Sequence, residues 1–283
     1  MTYKTIVVQL DDRKESVPRV RLALELARAC HGRLIGLAVM PRIRMPAGID
    51  GMALGNEVMA LQENTNRERL AAARRLFEDA TKDGGAEVEF RGVIADAAGA
   101  MNHELRYADI AVVGQRDPDQ TIADMYASLP EAVAMESHRP VMVVPHIGYS
   151  KPVGRKVLLA WNDSPEAMRA ATDAMPLLQA AEKVTLLVID GHKRGVEERG
   201  HHSDPPGRRA AGWLARHGVN VELINDVSDG TDVGSIILSR VSDLDIDLVV
   251  MGIYGHSKLR ETFFGGASKT MLGHMTVPTL IAH

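Results

Sequence analysis

The sequence predicts a two-domain α/β protein, each domain a doubly wound, five-stranded parallel sheet flanked by helices. Three observations carry that prediction. Short aliphatic runs and helical patterns succeed one another along the whole chain. The runs are continuous in Val, Ile and Leu, the pattern of strands buried on both faces and joined by crossover helices. The whole order then occurs a second time, and a repeat of this kind sets the architecture.

The elements follow in order. "TIVVQLDD", Thr5 to Asp12, reads as the first strand. "LALELARACHGRL" has helical spacing, and "GRLIGLAV" is the second strand. Next comes an insertion, "MPRIRMPAGIDGMALGNEVMALQ", with four Met, two Pro and three Gly. It reads as a long loop, either packed on its own domain or available as a lid or an adaptable, Met-rich contact surface. "NTNRERLAAARRLFEDATKDG" carries apolar residues at helical spacing and stops at Gly84, a C-terminal signal. "ADIAVVGQ" and "RPVMVVPH" are the later strands of the first copy. "GYSKPVGR" has the Gly and Pro of a linker, which gives domains at 1–149 and 150–283.

In the second copy "KVLLAWND", Lys156 to Asp163, matches "TIVVQLDD"; "EKVTLLVI" matches "GRLIGLAV"; "IDLVVMGI" matches "ADIAVVGQ"; and "VPTLIAH" matches "RPVMVVPH". Gly114 is as far from Pro140 as Gly252 is from Pro278. The two last strands are expected to pack together as an intramolecular pseudo-dimer, with a homodimer of chains as a further level.

Composition narrows the function. The chain has 283 residues, 25% charged and 45% hydrophobic, with a net charge of -4, so no broad basic footprint for nucleic acid is expected. The single cysteine, Cys30, lies in a helical pattern and reads as a small buried apolar residue in a reducing compartment. The start "MTYKTIVVQL" has no signal-peptide pattern, and no apolar run reaches the roughly 18 residues of a membrane span. The expectation is a cytoplasmic protein with no membrane partner. Aromatics are 4%, so the core must be aliphatic.

Ligands of doubly wound sheets bind beyond the carboxyl ends of the strands, where the strand order reverses. Those ends fall at Asp11 and Gly114 in the first copy and at Asn162 and Gly252 in the second. The second copy continues as "MGIYGHSKLRETFFGGAS", Met251 to Ser268. Gly252 and Gly255 permit a tight turn that leaves backbone N–H groups uncovered. Gly265 and Gly266 open the next helix, whose amino end favours an anion, and Ser268 adds a hydroxyl. No Walker A loop occurs.

The repeated unit, the G-x-x-G-x9-G spacing after the fourth strand and the final "VPTLIAH" resemble the universal stress protein family, in its tandem-domain form. The resemblance covers essentially the whole chain. It implies a stress-response protein whose C-terminal domain binds ATP or AMP, with or without Mg²⁺, as a regulatory switch. The implied nucleotide-binding residues are Ala160, Asn162, Val188, Met251, Gly252, Gly255, Gly265, Gly266 and Ser268. Asn162 and Asp163 stand where the family places an acidic residue near adenine and ribose; Val188 would contact adenine. Met251 and Gly252 would line the ribose and phosphate side, and the remaining glycines and Ser268 would hold phosphates. Gly266 replaces the family's Ser or Thr, so a hydroxyl is lost. Lys258 and Arg260 would screen phosphate charge or form a solvated face.

In the first copy the matching stretch is "QRDPDQTIADMYASLPEA". Asp117 and Asp119 repel phosphate and Pro118 removes a donor, so no nucleotide is expected there. His192, His201 and His202 are either metal ligands or part of a polar loop; Asp163 and Asp190 lie near strand ends, where either could approach a bound Mg²⁺. No nucleophile elbow occurs, so no catalytic residues are assigned and slow ATP hydrolysis is the most enzyme activity expected. The alternatives are an interaction module that binds no nucleotide and a weak ATPase; the protein partner is not identified.

Overall fold

The computed structural model describes residues 2–41, 53–116, 129–191, 205, 207–253 and 266–283. Tyr3–Ser137 form one compact unit and His138–His283 belong to a second.

In the first unit β1 (Thr5–Leu10), β2 (Arg33–Met40), β3 (Glu87–Ile94) and β4 (Ile110–Gly114) make a parallel sheet of order β3-β2-β1-β4. α1 (Ser16–Cys30) packs on α2 (Ala53–Thr81), and α3 (Ala97–Leu105) packs on α4 (Leu129–Ser137). Right-handed crossovers place the first pair on one face and the second pair on the other. The order reverses between β1 and β4, and this is the unit's switch point.

The second unit contains β5 (Val141–Val144), β6 (Lys156–Trp161), β7 (Lys183–Ile189), β8 (Val221–Asp226), β9 (Leu248–Gly252) and β10 (Thr279–Ala282), in the order β5-β10-β9-β6-β7-β8. β6 to β10 are parallel. β5, the fifth strand of the first copy in sequence, lies antiparallel on β10, with Val143 opposite Thr279 and Met142 opposite Leu280. The two last strands therefore do meet. The helices are α5 (Pro165–Asp173), α6 (Met175–Ala180), α7 (Arg208–Arg216), α8 (Val233–Asp243) and α9 (Gly266–His274). Pro176 near the start of α6 separates it from α5, because proline lacks the N–H an unbroken helix needs.

The core is aliphatic, as the composition requires. Ile6, Leu10, Leu34, Leu37 and Ile110 in one unit, and Leu158, Leu159, Val249, Val250 and Ile281 in the other, have no exposed surface. Cys30 is buried and reduced. The repeat extends to an interaction the sequence reading passed over. Asp109 Oδ2 accepts the amides of Lys4 at 2.7 Å and Thr5 at 2.9 Å. Asp247, in the matching place, accepts Gly154 N at 2.7 Å and Lys156 N at 3.0 Å. Each carboxylate pins the start of its copy's first strand to the entry of that copy's fourth.

Two expectations are corrected. The insertion after β2 is not all loop: α2 begins at Ala53 and absorbs its second half. The reason is local, since "ALGNEVMALQ" is rich in Ala, Leu, Met, Glu and Gln, all strong helix formers. Nor are all strands continuous apolar runs. β3 reads EVEFRGVI and β8 VELIND, and no residue of either is fully buried. They are edge strands away from the switch points, less covered than the central strands, so polar residues enter both.

Candidate functional site

The second unit's switch point lies between β6 and β9, and strand register assembles the predicted residues around it. Ala160 on β6 pairs with Met251 on β9 and with Leu187 on β7. Trp161 pairs with Val188. Val188 and Met251 are buried at the end of their strands, and Ala160, Asn162 and Gly252 are partly exposed. Five of the expected residues thus gather at one sheet edge. Gly255 and Gly265 lie outside the described residues, as do Lys258, Arg260, His192, His201, His202, Asp117, Pro118 and Asp119.

Gly252 has a packing task. A Cβ there would stand 2.4 Å from the Glu166 carbonyl carbon and 2.6 Å from Ala167 N. The first turn of α5 rests on the glycine's Cα, and backbone cannot yield as a side-chain tip can. That turn is fixed by Ser164, whose Oγ accepts Ala167 N at 3.1 Å, an N-cap of the usual kind. Beside it, Glu166 Oε2 is the buried side-chain acceptor of this unit that has no hydrogen-bond partner among the described residues.

Asn162 is partly committed: its Oδ1 accepts Ser164 N at 3.2 Å. The side chain's remaining hydrogen-bonding capacity is its NH₂ donor pair and one lone pair. Asp163 sits at φ 57°, and its Oδ1 accepts the Trp161 indole N–H at 2.8 Å. Asp190 accepts Ser228 N at 3.0 Å and Ser228 Oγ at 2.5 Å. Both carboxylates considered for a metal are therefore engaged in holding loops. Among the described residues no cluster of metal-ligating side chains occurs.

α9 begins at Gly266, as the glycine pair predicts, and Gly266 is exposed while Ser268 is buried. The sequence reading missed what stands beside it. Asp232 caps α8 by accepting Ser235 N at 3.0 Å, and its other oxygen, Oδ1, is 3.4 Å from where a Gly266 Cβ would be. A negative charge thus borders the amino end of α9. The signal was present as Asp before "VGS", a helix-start pattern, but nothing in the spacing linked that start to Gly266.

A cleft of about 740 Å³ opens at the opposite, amino edge of the same unit, lined in part by Tyr149, Lys156, Asp245 and Asp247. Its charged groups serve the fold: Asp247 binds the strand-start amides and Asp245 pairs with Lys156 at 3.0 Å. Burial, then Asp247 and Asp245, push the Tyr149 phenol up to about 12.

The family model described as the universal stress protein family matches residues 2–145 and again 154–283. The chain belongs to the universal stress protein family. Its two copies make it a tandem member with the α/β fold of that family. A universal stress protein from Archaeoglobus fulgidus DSM 4304 is similar at 14% identity and TM-score 0.70, over 98% of this chain and 97% of its own. A protein of unknown function from Pseudomonas aeruginosa PAO1 gives 16% and 0.57, over 99% and 92%. A universal stress protein solved in complex with cAMP aligns at 24% identity over 52% of this chain and 99% of its own, with TM-score 0.36. No curated protein matches the chain. No described helix is long and apolar enough to cross a membrane.

Proposed function

We propose that this universal stress protein binds an adenine nucleotide, ATP or AMP, in the crevice between β6 and β9 of its second unit. The observation that carries the reading is the convergence at that edge. Ala160, Asn162, Val188, Met251 and Gly252 are gathered by register, and α9 starts from the same edge with an exposed Gly266. A helix amino end of this kind favours phosphate. Val188 and Met251 supply the apolar floor that a purine needs. Asn162 would read the base or ribose through its amide, and Glu166 Oε2 would accept from a ligand hydroxyl or amino group. Gly255, Gly265 and Ser268 would complete the phosphate side. Mg²⁺ would enter as the nucleotide's own counterion. Binding to the folded unit would stabilise it and bias assembly, which is how a nucleotide acts as a switch. The cytoplasm, the intramolecular pseudo-dimer and a homodimer of chains belong to the same reading.

Isothermal titration of the full chain with ATP and with AMP, each with and without Mg²⁺, tests it. Saturable binding of one nucleotide per chain is expected. No heat at high micromolar nucleotide overturns the reading and leaves the interaction module. Gly255→Asp, which copies the first copy's Asp117, should abolish any binding found; an unchanged affinity would place the site elsewhere.

A further inference from the structure

The first unit has the same switch point, between β1 and β4, and the chain itself fills it. Arg19, one turn into α1, is only 7% exposed. Its Nε donates to the Gln9 carbonyl at 2.6 Å and its Nη2 donates to Ser16 Oγ at 2.9 Å. Nη2 also stands 3.9 Å from Asp11 Oδ2. Ser16 Oγ passes the connection on, donating to Asp11 Oδ1 at 2.7 Å. On the other side lies Gly114, the last residue of β4, where a Cβ would fall 2.2 Å from Arg19 Nη1. The guanidinium therefore rests on the end of β4 and is tied to the end of β1. That is the place where a doubly wound sheet receives a ligand.

Asp11 confirms how closely the group is held. Burial alone would raise its carboxyl, yet the hydrogen bond from Arg13, the charge of Arg19 and the Ser16 hydroxyl outweigh burial and hold it below the usual carboxylate range. The second unit differs at both positions. Aligning "KVLLAWND" on "TIVVQLDD" puts Asn162 at Asp11 and, carried forward without gaps, Ala170 at Arg19.

We propose that Arg19 is the resident occupant of the first unit's crevice and the residue that excludes ligands from it. The pocket is complementary to a guanidinium cation: a carbonyl, a hydroxyl and a carboxylate converge on one planar donor group. Removing the side chain should leave a site for a small guanidinium ion. The inference does not rest on nucleotide binding in the second unit, and its test contains no nucleotide.

The test is chemical rescue in the full chain. Arg19→Ala removes the buried donor to the Gln9 carbonyl and Ser16 Oγ and leaves its space empty, while Arg13 still pairs with Asp11, and should lower the thermal midpoint by on the order of 5 °C. Methylguanidinium chloride at millimolar concentrations should raise that midpoint with saturation, whereas sodium chloride at equal ionic strength should not, and wild type should not respond. Arg19→Ala/Asp11→Asn should lose the response. If Arg19→Ala is obtained unfolded, recovery of folded protein on refolding with methylguanidinium, and not with sodium chloride, is the supporting result. A wild-type midpoint in Arg19→Ala, no saturable rescue, no recovery on refolding, or a response that survives in the double variant would each overturn the proposal.

Discussion

Asp232 offers the sharpest test of the phosphate side of the crevice. Its Oδ1 lies 3.4 Å from the Cβ position of Gly266. A phosphate accepting from the Gly266 amide would put its charge about 6 Å from that carboxylate. The repulsion per unit of phosphate charge is then about 0.7 kcal/mol at the dielectric of water and about twice that at half the dielectric. Asp232→Asn removes the charge and keeps the cap, because asparagine caps helices about as well as aspartate and Oδ can still accept Ser235 N. Nucleotide should therefore bind roughly three- to tenfold more tightly per unit charge, more for ATP than for AMP. The gain should shrink as salt is raised past a Debye length of about 8 Å. Titration calorimetry at two ionic strengths reads this, with thermal unfolding as the control for the cap. An affinity that is unchanged or weaker in Asp232→Asn, at unchanged stability, would show that no phosphate approaches Gly266.

Two further outcomes concern stability. Gly252→Ala places a methyl against the backbone of Glu166 and Ala167 and should cost about 1–3 kcal/mol as overpacking does; Gly273→Ala, in α9 with nothing within 4 Å, should be neutral or slightly stabilising, and equal midpoints for the two variants in thermal melts would refute the close-packing role. Asp11 has a folded pKa below its unfolded value, so it contributes stability that is present above about pH 4 and lost as pH falls through the folded pKa. The stability gap between wild type and Asp11→Asn, measured by urea unfolding, should accordingly narrow as pH drops below about 4; a gap that stays constant would mean that the carboxylate is not held as described.

The residues that were legible in the sequence are those whose signal is periodic. Continuous apolar runs gave the central strands, and the repeated offset from glycine to proline placed Gly114 and Gly252 at equivalent strand ends. Legibility failed where the determinant is a contact between distant segments. Nothing in "DDRKESVPRVRL" says that Arg19 turns back to the Gln9 carbonyl, because that depends on where Gly114 leaves space. Asp232 and Gly266 are likewise far apart in sequence and meet only because α8 packs on α9. The mixed polar edge strands β3 and β8 were misread for a related reason: how far a strand is covered is a property of its place in the sheet order.

Set side by side, the two crevices divide between them the features that the family resemblance combines. The first unit keeps a carboxylate at the end of its first strand, Asp11, but Arg13, Ser16 and Arg19 consume it. The second unit carries the glycines and a helix that opens on Gly266, but the matching first-strand position is Asn162, with its Oδ1 already accepting Ser164 N. Among the described residues, the charged acceptor left for a purine amino group is then Glu166 Oε2 of the second unit. Recognition in the second unit would come from that carboxylate and from two donors, the Asn162 NH₂ and the amide end of α9, acting on ring nitrogens and phosphate oxygens. Such a site reads the amino group through one carboxylate and the phosphate through the amino end of one helix. Selectivity between ATP and AMP then turns on charge near α9, which is the term that Asp232 controls.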